Sequence, residues 1–203
     1  MKTIVLATQK GGAGKSTLTR NLAVQASKEG RKVAILDLDP QGTTAAWWGA
    51  RAAEDIELVT LPAASQIPAA QEALASEGVE YLFIDTPGKN DPGLDHALRA
   101  ASLVLIPVQP SPDDLRAIGQ TLAAVDAAGR PYAFVMSRTV RSRLLEDAIR
   151  AVAAQGRVAP VNIASRVVYP ETAADGTAAP EASDAKAAAE IAALWSYVEE
   201  KAR

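Results

Sequence analysis

The stretch Gln9-Lys10-Gly11-Gly12-Ala13-Gly14-Lys15-Ser16-Thr17 decides how this chain is read. An apolar run, Thr3-Ile4-Val5-Leu6-Ala7, precedes it. Residues 15–29 follow, with Leu18, Leu22, Ala23 and Ala26 at helical spacing and Gly30 placed to stop the helix. Strand, glycine-rich turn and helix, in that order, are the context of a phosphate-binding loop. Glycines let successive N–H groups converge without Cβ clashes, and the helix N-terminus adds partial positive charge. In that geometry Lys15 reaches the β- and γ-phosphates and the Ser16 hydroxyl ligates Mg²⁺. The strict pattern G-x-x-x-x-G-K-[ST] is not met. Gln9 stands where its first glycine belongs, and a second lysine, Lys10, opens the loop.

Composition narrows the class. The chain has 203 residues, 48% of them hydrophobic, which suits one packed domain over residues 1–203. It has no cysteine and one histidine, His96, so disulfides, thiolate metal sites, His-based zinc and a Ser-His-Asp triad are not expected. The run after Met1-Lys2 is too short for a signal peptide, and no stretch of about 18 apolar residues exists. A cytoplasmic protein without a membrane span is expected. The net charge of −3 argues against nucleic acid, but its distribution does not. Arg130, Arg138, Arg141, Arg143, Arg150, Arg157 and Arg166 face only Glu146 and Asp147, a local excess of +5 that leaves the rest at −8. Such asymmetry makes a basic patch on an acidic protein.

The remaining pattern alternates strands and helices. Residues 32–36 read as a buried strand ending at Asp37-Leu38-Asp39-Pro40-Gln41, and 42–53 as an alanine-rich helix. Trp47 and Trp48 are adjacent and cannot both face one core: either one covers a partner surface, or both are packing residues only partly buried. Residues 57–60 are a candidate edge strand, and 65–76 a short helix kinked at Pro68. Residues 79–88 run as an apolar strand into Asp85-Thr86-Pro87-Gly88. A helix over 91–101 would carry His96 at its surface, and a strand over 102–108 follows. The turn holding Pro107, Gln109, Pro110 and Pro112 leads to a helix over 113–128, capped by Ser111 or Asp113. A strand over 131–136 ends at Ser137-Arg138-Thr139, and a helix spans 143–155. Residues 158–163 read as an edge strand because of Pro160. A helix or turn spans 164–174, and an amphipathic helix over 183–201 ends the pattern. The fold class is therefore α/β, three layers, with a mostly parallel central sheet flanked by helices.

In such sheets ligands bind beyond the carboxyl ends of the strands. The loop, Asp37 with Asp39, Asp85 and the 107–113 turn all follow strand ends, so they converge on one site. Phosphoryl transfer needs positioning and charge neutralisation more than covalent chemistry. Asp39 is the candidate for orienting the attacking water, Asp37 and Asp85 for the Mg²⁺ shell, and Thr86-Pro87-Gly88 for sensing the γ-phosphate. Each aspartate has a plainer alternative as a helix cap or turn residue.

Taken together, these motifs resemble the ParA/MinD ATPases. Lys10-Gly11-Gly12-Ala13-Gly14-Lys15-Ser16-Thr17 resembles their deviant Walker A motif, Asp37 to Gly42 their second motif and Phe83 to Gly88 their Walker B segment. Pro107-Val108-Gln109-Pro110 resembles their nucleotide-base region, and residues 166–176 a late family segment. The short length is most like the small ParF-like partition proteins. The resemblance implies a P-loop NTPase fold and a homodimer sandwiching two ATP molecules, with Lys10 reaching the partner subunit's phosphates. It implies weak Mg²⁺-dependent ATPase activity giving ADP, stimulated by a centromere-binding, ParB-type partner. It also implies ATP-dependent nonspecific DNA binding, hence nucleoid association, in segregating plasmid or chromosomal DNA. Gly11, Gly12, Ala13, Gly14 and Thr17 are carried over as nucleotide contacts, with Pro107, Pro110 and Asp113 near the base. Ser137 and Arg138 stand where some relatives have an adenine-binding asparagine.

Arginine suits phosphate contacts, and Arg138, Arg141, Arg143 and Arg166 are the DNA candidates. One rival is a relative that positions a protein cargo, such as a carboxysome or chemoreceptor cluster. Another is a MinD-like membrane ATPase, which needs a basic amphipathic final helix. Here Glu190, Glu199 and Glu200 balance Lys186, Lys201 and Arg203, and no membrane partner is expected. A metabolic kinase or synthetase would need an acceptor-binding motif, and none is seen.

Overall fold

Strands that are apolar on both faces must be covered on both faces, and that requirement shapes this molecule. The structure is a computed structural model and describes residues 1–88 and 91–202. Arg203, counted above with the final helix, lies outside the described residues. The first half of the chain forms β1 (Lys2–Leu6), α1 (Lys15–Lys28), β2 (Val33–Asp37), α2 (Thr43–Ala50), β3 (Ile56–Val59), α3 (Ile67–Ser76) and β4 (Tyr81–Asp85). The second half forms α4 (Pro92–Ala100), β5 (Leu103–Val108), α5 (Pro112–Ala128), β6 (Tyr132–Met136), α6 (Arg143–Ala153), α7 (Val168–Ala174) and α8 (Ala185–Lys201).

The six strands order as β3-β2-β4-β1-β5-β6, and every pairing is parallel. Alternate residues feed two cores. Ile4, Leu6, Ile35, Phe83, Leu105 and Val135 pack with α1 and α8, whereas Val5, Leu36, Ile84, Ile106 and Met136 pack with α3 to α6. Three layers result, as the apolar pattern requires. The apolar face of α8 is spent on the first core. Ile191, Leu194, Trp195 and Val198 are buried there, with Trp195 edge-on to Tyr81 at 4.8 Å. Among the described residues no helix is long and apolar enough to cross a membrane.

Three local expectations change, and a fourth choice is decided. The helix expected over 42–53 stops at Ala50. Arg51 turns extended there, and its guanidinium is held by Asp55, Glu181 and the Gly176 carbonyl. Pro68 does not kink a helix. A 3₁₀ turn, Ala64–Gln66, precedes α3, and Pro68 sits in the helix's first turn, where its missing N–H costs nothing. Residues 158–163 form no strand. They touch β6 at one bridge, Phe134 with Val158, and through the Ala159 and Ile163 N–H groups, while a second bridge joins Thr139 to Ala164 beyond both. Pairing lapses around Pro160, which has no N–H to give. Ser111, not Asp113, caps α5, accepting the Asp114 N–H.

Pro107 is inside β5, between two strands. The Leu105 carbonyl faces β1, accepting from the Ala7 N–H, while the Val104 N–H faces β6. By alternation the Pro107 nitrogen faces β1, beyond the last paired residues, Leu6 and Leu105. The β1–β5 ladder ends at the bond from the Ala7 N–H to the Leu105 carbonyl, since proline has no N–H to continue it. Trp47 is buried with Nε1 donating to the Thr177 carbonyl, while Trp48 is 37% exposed. His96 is exposed on α4.

Candidate functional site

Strand order brings the expected loops together. β1 lies between β4 and β5, so the segments leaving β1, β4, β5 and β6 meet at one end of the sheet. α1 covers one face and α4 the other, and in parallel sheets of this kind ligands bind beyond the carboxyl ends of the strands.

The loop from Gln9 to Gly14 is bent by two glycines in the left-handed region, Gly12 at φ 76° and Gly14 at φ 104°. Side chains from distant strand ends hold it. Ser137 Oγ donates to the Ala13 carbonyl at 2.6 Å. Gln109 Nε2 and Arg138 Nη1 donate to the Gly12 carbonyl at 2.8 and 3.1 Å. Thr86 Oγ1 donates to the Leu6 carbonyl at 2.7 Å, tying the end of β4 to the end of β1. That carboxyl-end segment also approaches the loop at Gly88. A Cβ there would lie 3.5 Å from both Gly11 Cα and Lys15 Nζ.

Lys15 opens α1 and is 6% exposed. Burial lowers its pKa from the ordinary lysine range, against the attraction of Asp85 and Asp39. Its ammonium pairs with no carboxylate among the described residues. Ser16 is half-buried in the same turn, and Thr17 follows it.

Asp85 is fully buried, and its two oxygens differ. Oδ2 accepts the Thr44 hydroxyl at 2.6 Å, whereas Oδ1 has no hydrogen-bond partner. Burial pushes this carboxyl up to about 6, and Asp37 adds to the rise. Thr44, Ser16 and Lys15 oppose it. Ser16 thus stabilises the ionised carboxylate without closing a well-formed bond to Oδ1. Asp37 spends its oxygens on backbone. Oδ2 accepts from the Thr44 and Ala45 N–H groups at 2.9 Å each and Oδ1 from the Asp39 N–H at 3.0 Å, capping α2. Asp39 is half-buried and accepts the Gln41 N–H at 3.0 Å through Oδ1.

These donors fit Mg²⁺. Among the described residues no cluster of three or more carboxylates, histidines or cysteines is poised to hold a metal. Mg²⁺ does not need one. It takes one or two protein oxygens and fills its shell with phosphates and water. A Ser16 hydroxyl near an unpartnered buried carboxylate oxygen suits that chemistry.

Several contributors escape sequence reading. Arg20, one turn along α1 from Ser16, is buried. Desolvation lowers its pKa, and attraction to Asp85 and Asp37 opposes the shift. Its i+4 spacing from Ser16 was the available signal. Asp114, rather than Asp113, organises the turn after β5. It accepts the Ser111 hydroxyl at 2.6 Å and the Gln109 N–H at 3.3 Å, and so sets Gln109 over the loop. Asp113 is exposed and paired with Arg116 at 3.2 Å. Pro107 is buried in β5, and Pro110 is half-buried in the turn. The role of Thr44 had no sequence signal, because only tertiary structure sets it against Asp85.

The arginines separate. Arg141 and Arg143 are exposed around the start of α6, and Arg138 is exposed beside the loop. Arg166 is half-buried. It pairs with Glu190 at 2.5 Å and Asp184 at 3.8 Å, so its charge is largely balanced. Arg150 is paired with Asp147.

Comparison with known proteins assigns the chain a family. The CobQ/CobB/MinD/ParA nucleotide-binding domain matches residues 4–178. The maintenance of carboxysome distribution protein A of Halothiobacillus neapolitanus is 34% identical over 133 residues, covering 62% of this chain and 59% of that protein. The chromosome-partitioning ATPase Soj of Thermus thermophilus is 30% identical over 154 residues, covering 62% of each. The chain thus spans about 60% of the length of these curated relatives. A plasmid partition protein of Borrelia burgdorferi B31, solved with AMPPNP, superposes with a TM-score of 0.83. The match covers 98% of this chain and 99% of that one at 17% identity, a likeness of fold.

Proposed function

The chain belongs to the CobQ/CobB/MinD/ParA family of nucleotide-binding domains, and from that premise we propose a DNA-partitioning ATPase that dimerises on ATP. The observation that carries the reading is two lysines on one loop in different surroundings. Lys15 is buried at the start of α1. Lys10 is half-buried at the loop entrance, and its ammonium pairs with no carboxylate among the described residues. One lysine serves the phosphates in its own subunit. The other is free to serve those of a second copy.

In this reading residues 1–203 act as one ATPase domain. The N–H groups from Gly11 to Thr17, with Lys15, hold the β- and γ-phosphates. Ser16 and Asp85 hold Mg²⁺, and Asp37 fixes the α2 end of that shell. Bound there, Mg²⁺ neutralises charge on the phosphates. Asp39 orients the water that attacks the γ-phosphate, and ADP and phosphate leave. The turn carrying Pro107, Pro110 and Asp113, with Ser137 and Arg138, borders the base. Arg141 and Arg143, with Arg138 and Arg166 beside them, meet DNA phosphates without reading sequence. Dimerisation doubles that surface and couples ATP to DNA affinity. A ParB-type partner at the centromere stimulates turnover, and the protein works on the nucleoid in the cytoplasm.

A second reading keeps the same machinery and replaces DNA cargo by a protein assembly. The similarity to a carboxysome distribution protein supports it. A MinD-like membrane role has less support, because the apolar face of α8 is buried against the sheet.

Light scattering behind size-exclusion chromatography, without nucleotide, with ADP and with ATP, tests the reading. A dimer in ATP alone that then binds duplex DNA is expected. A monomer in all three states would overturn it.

A further inference from the structure

The Gly12 carbonyl is an unusual meeting point. It accepts Gln109 from the end of β5 and Arg138 from the end of β6, 97 and 126 residues away in sequence. Nη1 of Arg138 also lies 3.9 Å from where a Cβ on Gly12 would stand, so the guanidinium borders the phosphate loop. Arg138 has φ 49°, and among the described residues it alone takes a positive φ without being glycine. An L-residue with a Cβ seldom adopts that conformation. Here it turns the side chain back over the loop.

The guanidinium is exposed, and a neutral carbonyl is a weak partner for it. A charge-assisted bond to phosphate is roughly twice as strong, and the planar fork suits two phosphate oxygens at once. Arg138 also begins the segment that carries the basic surface. Val140 and Leu144, 66% and 47% exposed, flank Arg141 and Arg143 in sequence, and Val167 beside Arg166 is 69% exposed. Thr139 bridges Ala164, which joins the two exposed strips.

We propose that Arg138 is a nucleotide-responsive link between the phosphate loop and the arginine surface. It bonds the Gly12 carbonyl when no phosphate competes and moves to a phosphate oxygen of a bound nucleotide. The shift resets the segment bearing Arg141 and Arg143, so nucleotide charge governs how that surface meets a second polyanion. The link rests on the ATPase reading above. It adds a specific residue in the same subunit, acting without contributions from the second copy.

The test uses Arg138→Gly and Arg138→Lys in the full chain. Glycine takes φ 49° freely, so the thermal midpoint of Arg138→Gly should match or exceed wild type. Calorimetry without DNA should show Mg²⁺-ATP affinity falling about tenfold in Arg138→Gly. Arg138→Lys should recover part of that loss, because it restores charge but not the fork. Fluorescence anisotropy with duplex DNA then gives the ratio of DNA affinity in ATP to that in ADP. The ratio should fall in Arg138→Gly to the share that dimerisation alone supplies. In Arg141→Ala with Arg143→Ala it should persist while both affinities drop. Wild-type ATP affinity in Arg138→Gly, or an unchanged ratio, overturns the link and leaves the ATPase reading standing. DNA binding weakened equally with and without nucleotide, at unchanged ATP affinity, makes Arg138 a DNA contact only and also overturns it. Failure of the wild-type protein to bind nucleotide at all removes both.

Discussion

Thr44 donates its hydroxyl to Asp85 Oδ2 at 2.6 Å, so the first turn of α2 closes onto the end of β4. The bond fixes one carboxylate oxygen and leaves the other, Oδ1, as a buried acceptor without a partner. A buried, half-satisfied carboxylate is costly to folding and useful to a cation. In the proposed reading, stability and function pull on this residue in opposite directions.

Asp85→Asn keeps an acceptor for Thr44 and removes the charge. The folded carboxyl titrates at about 6 against an ordinary value of 3.8. The folded state thus holds more protons than the unfolded state between those values, and stability of the ligand-free protein falls as pH rises through that window. The variant should be more stable than wild type at about pH 7.5, by on the order of 2 kcal/mol, and should converge with it near about pH 4. Added Mg²⁺-ATP should stabilise wild type far more than the variant. Urea unfolding across this range measures both effects, and a flat wild-type profile would contradict the assignment.

Lys15→Ala removes a buried ammonium that has no carboxylate partner within the chain. Folding should survive, while Mg²⁺-ATP affinity drops about a hundredfold or more. Calorimetry reads it directly. Nucleotide binding at wild-type strength would refute the phosphate loop.

Asp39→Ala should separate binding from turnover. The Gln41 turn loses one hydrogen bond, at about 1 kcal/mol. ATP binding and ATP-dependent dimerisation should remain, and hydrolysis should fall roughly 10²- to 10⁴-fold. Phosphate release measured beside light scattering decides it. Normal turnover would remove Asp39 from the water-positioning role.

Arg141→Ala with Arg143→Ala should weaken duplex binding at unchanged ATP affinity. It should also flatten the salt dependence by about two units of slope per subunit. A low-salt gel-shift series is sufficient, and wild-type affinity there would place DNA elsewhere. Arg166→Ala should matter less, since Glu190 and Asp184 already balance that charge.

Trp195→Ala tests the packing of α8. The indole is buried against Tyr81 and Phe83, with Nε1 donating to Glu29 at 3.0 Å. Truncation should cost about 3–5 kcal/mol in chemical denaturation. A loss under about 1 kcal/mol would mean that α8 is not part of the core.

Much of the fold was legible because its signals are local. Gly12 and Gly14 announce the turn, Leu18 and Leu22 the buried face of α1, and Pro112 after Ser111 the start of α5. Where local reading misled, a distant partner or a single atom intervened. Arg51 ends α2 because Glu181 and Gly176 claim its side chain, and Pro160 interrupts pairing because it has no N–H. Asp37 shows both sides. Its strand-end position was evident and a capping role was among its readings, but that it caps α2 from seven and eight residues away was not.

By itself the sequence determined the parallel α/β class, the glycine-rich turn between β1 and α1 and the set of aspartates that follow strand ends. Those are written in spacings of two, three and four residues, which chain geometry turns directly into strands, turns and helix faces. Only the tertiary structure decided which strand ends are neighbours. The order β3-β2-β4-β1-β5-β6 sets Thr44 against Asp85, 41 residues apart, and Arg138 against Gly12, 126 apart. No residue spacing encodes such pairs. They follow from how two apolar faces of one sheet are buried, and that burial is a property of the whole chain.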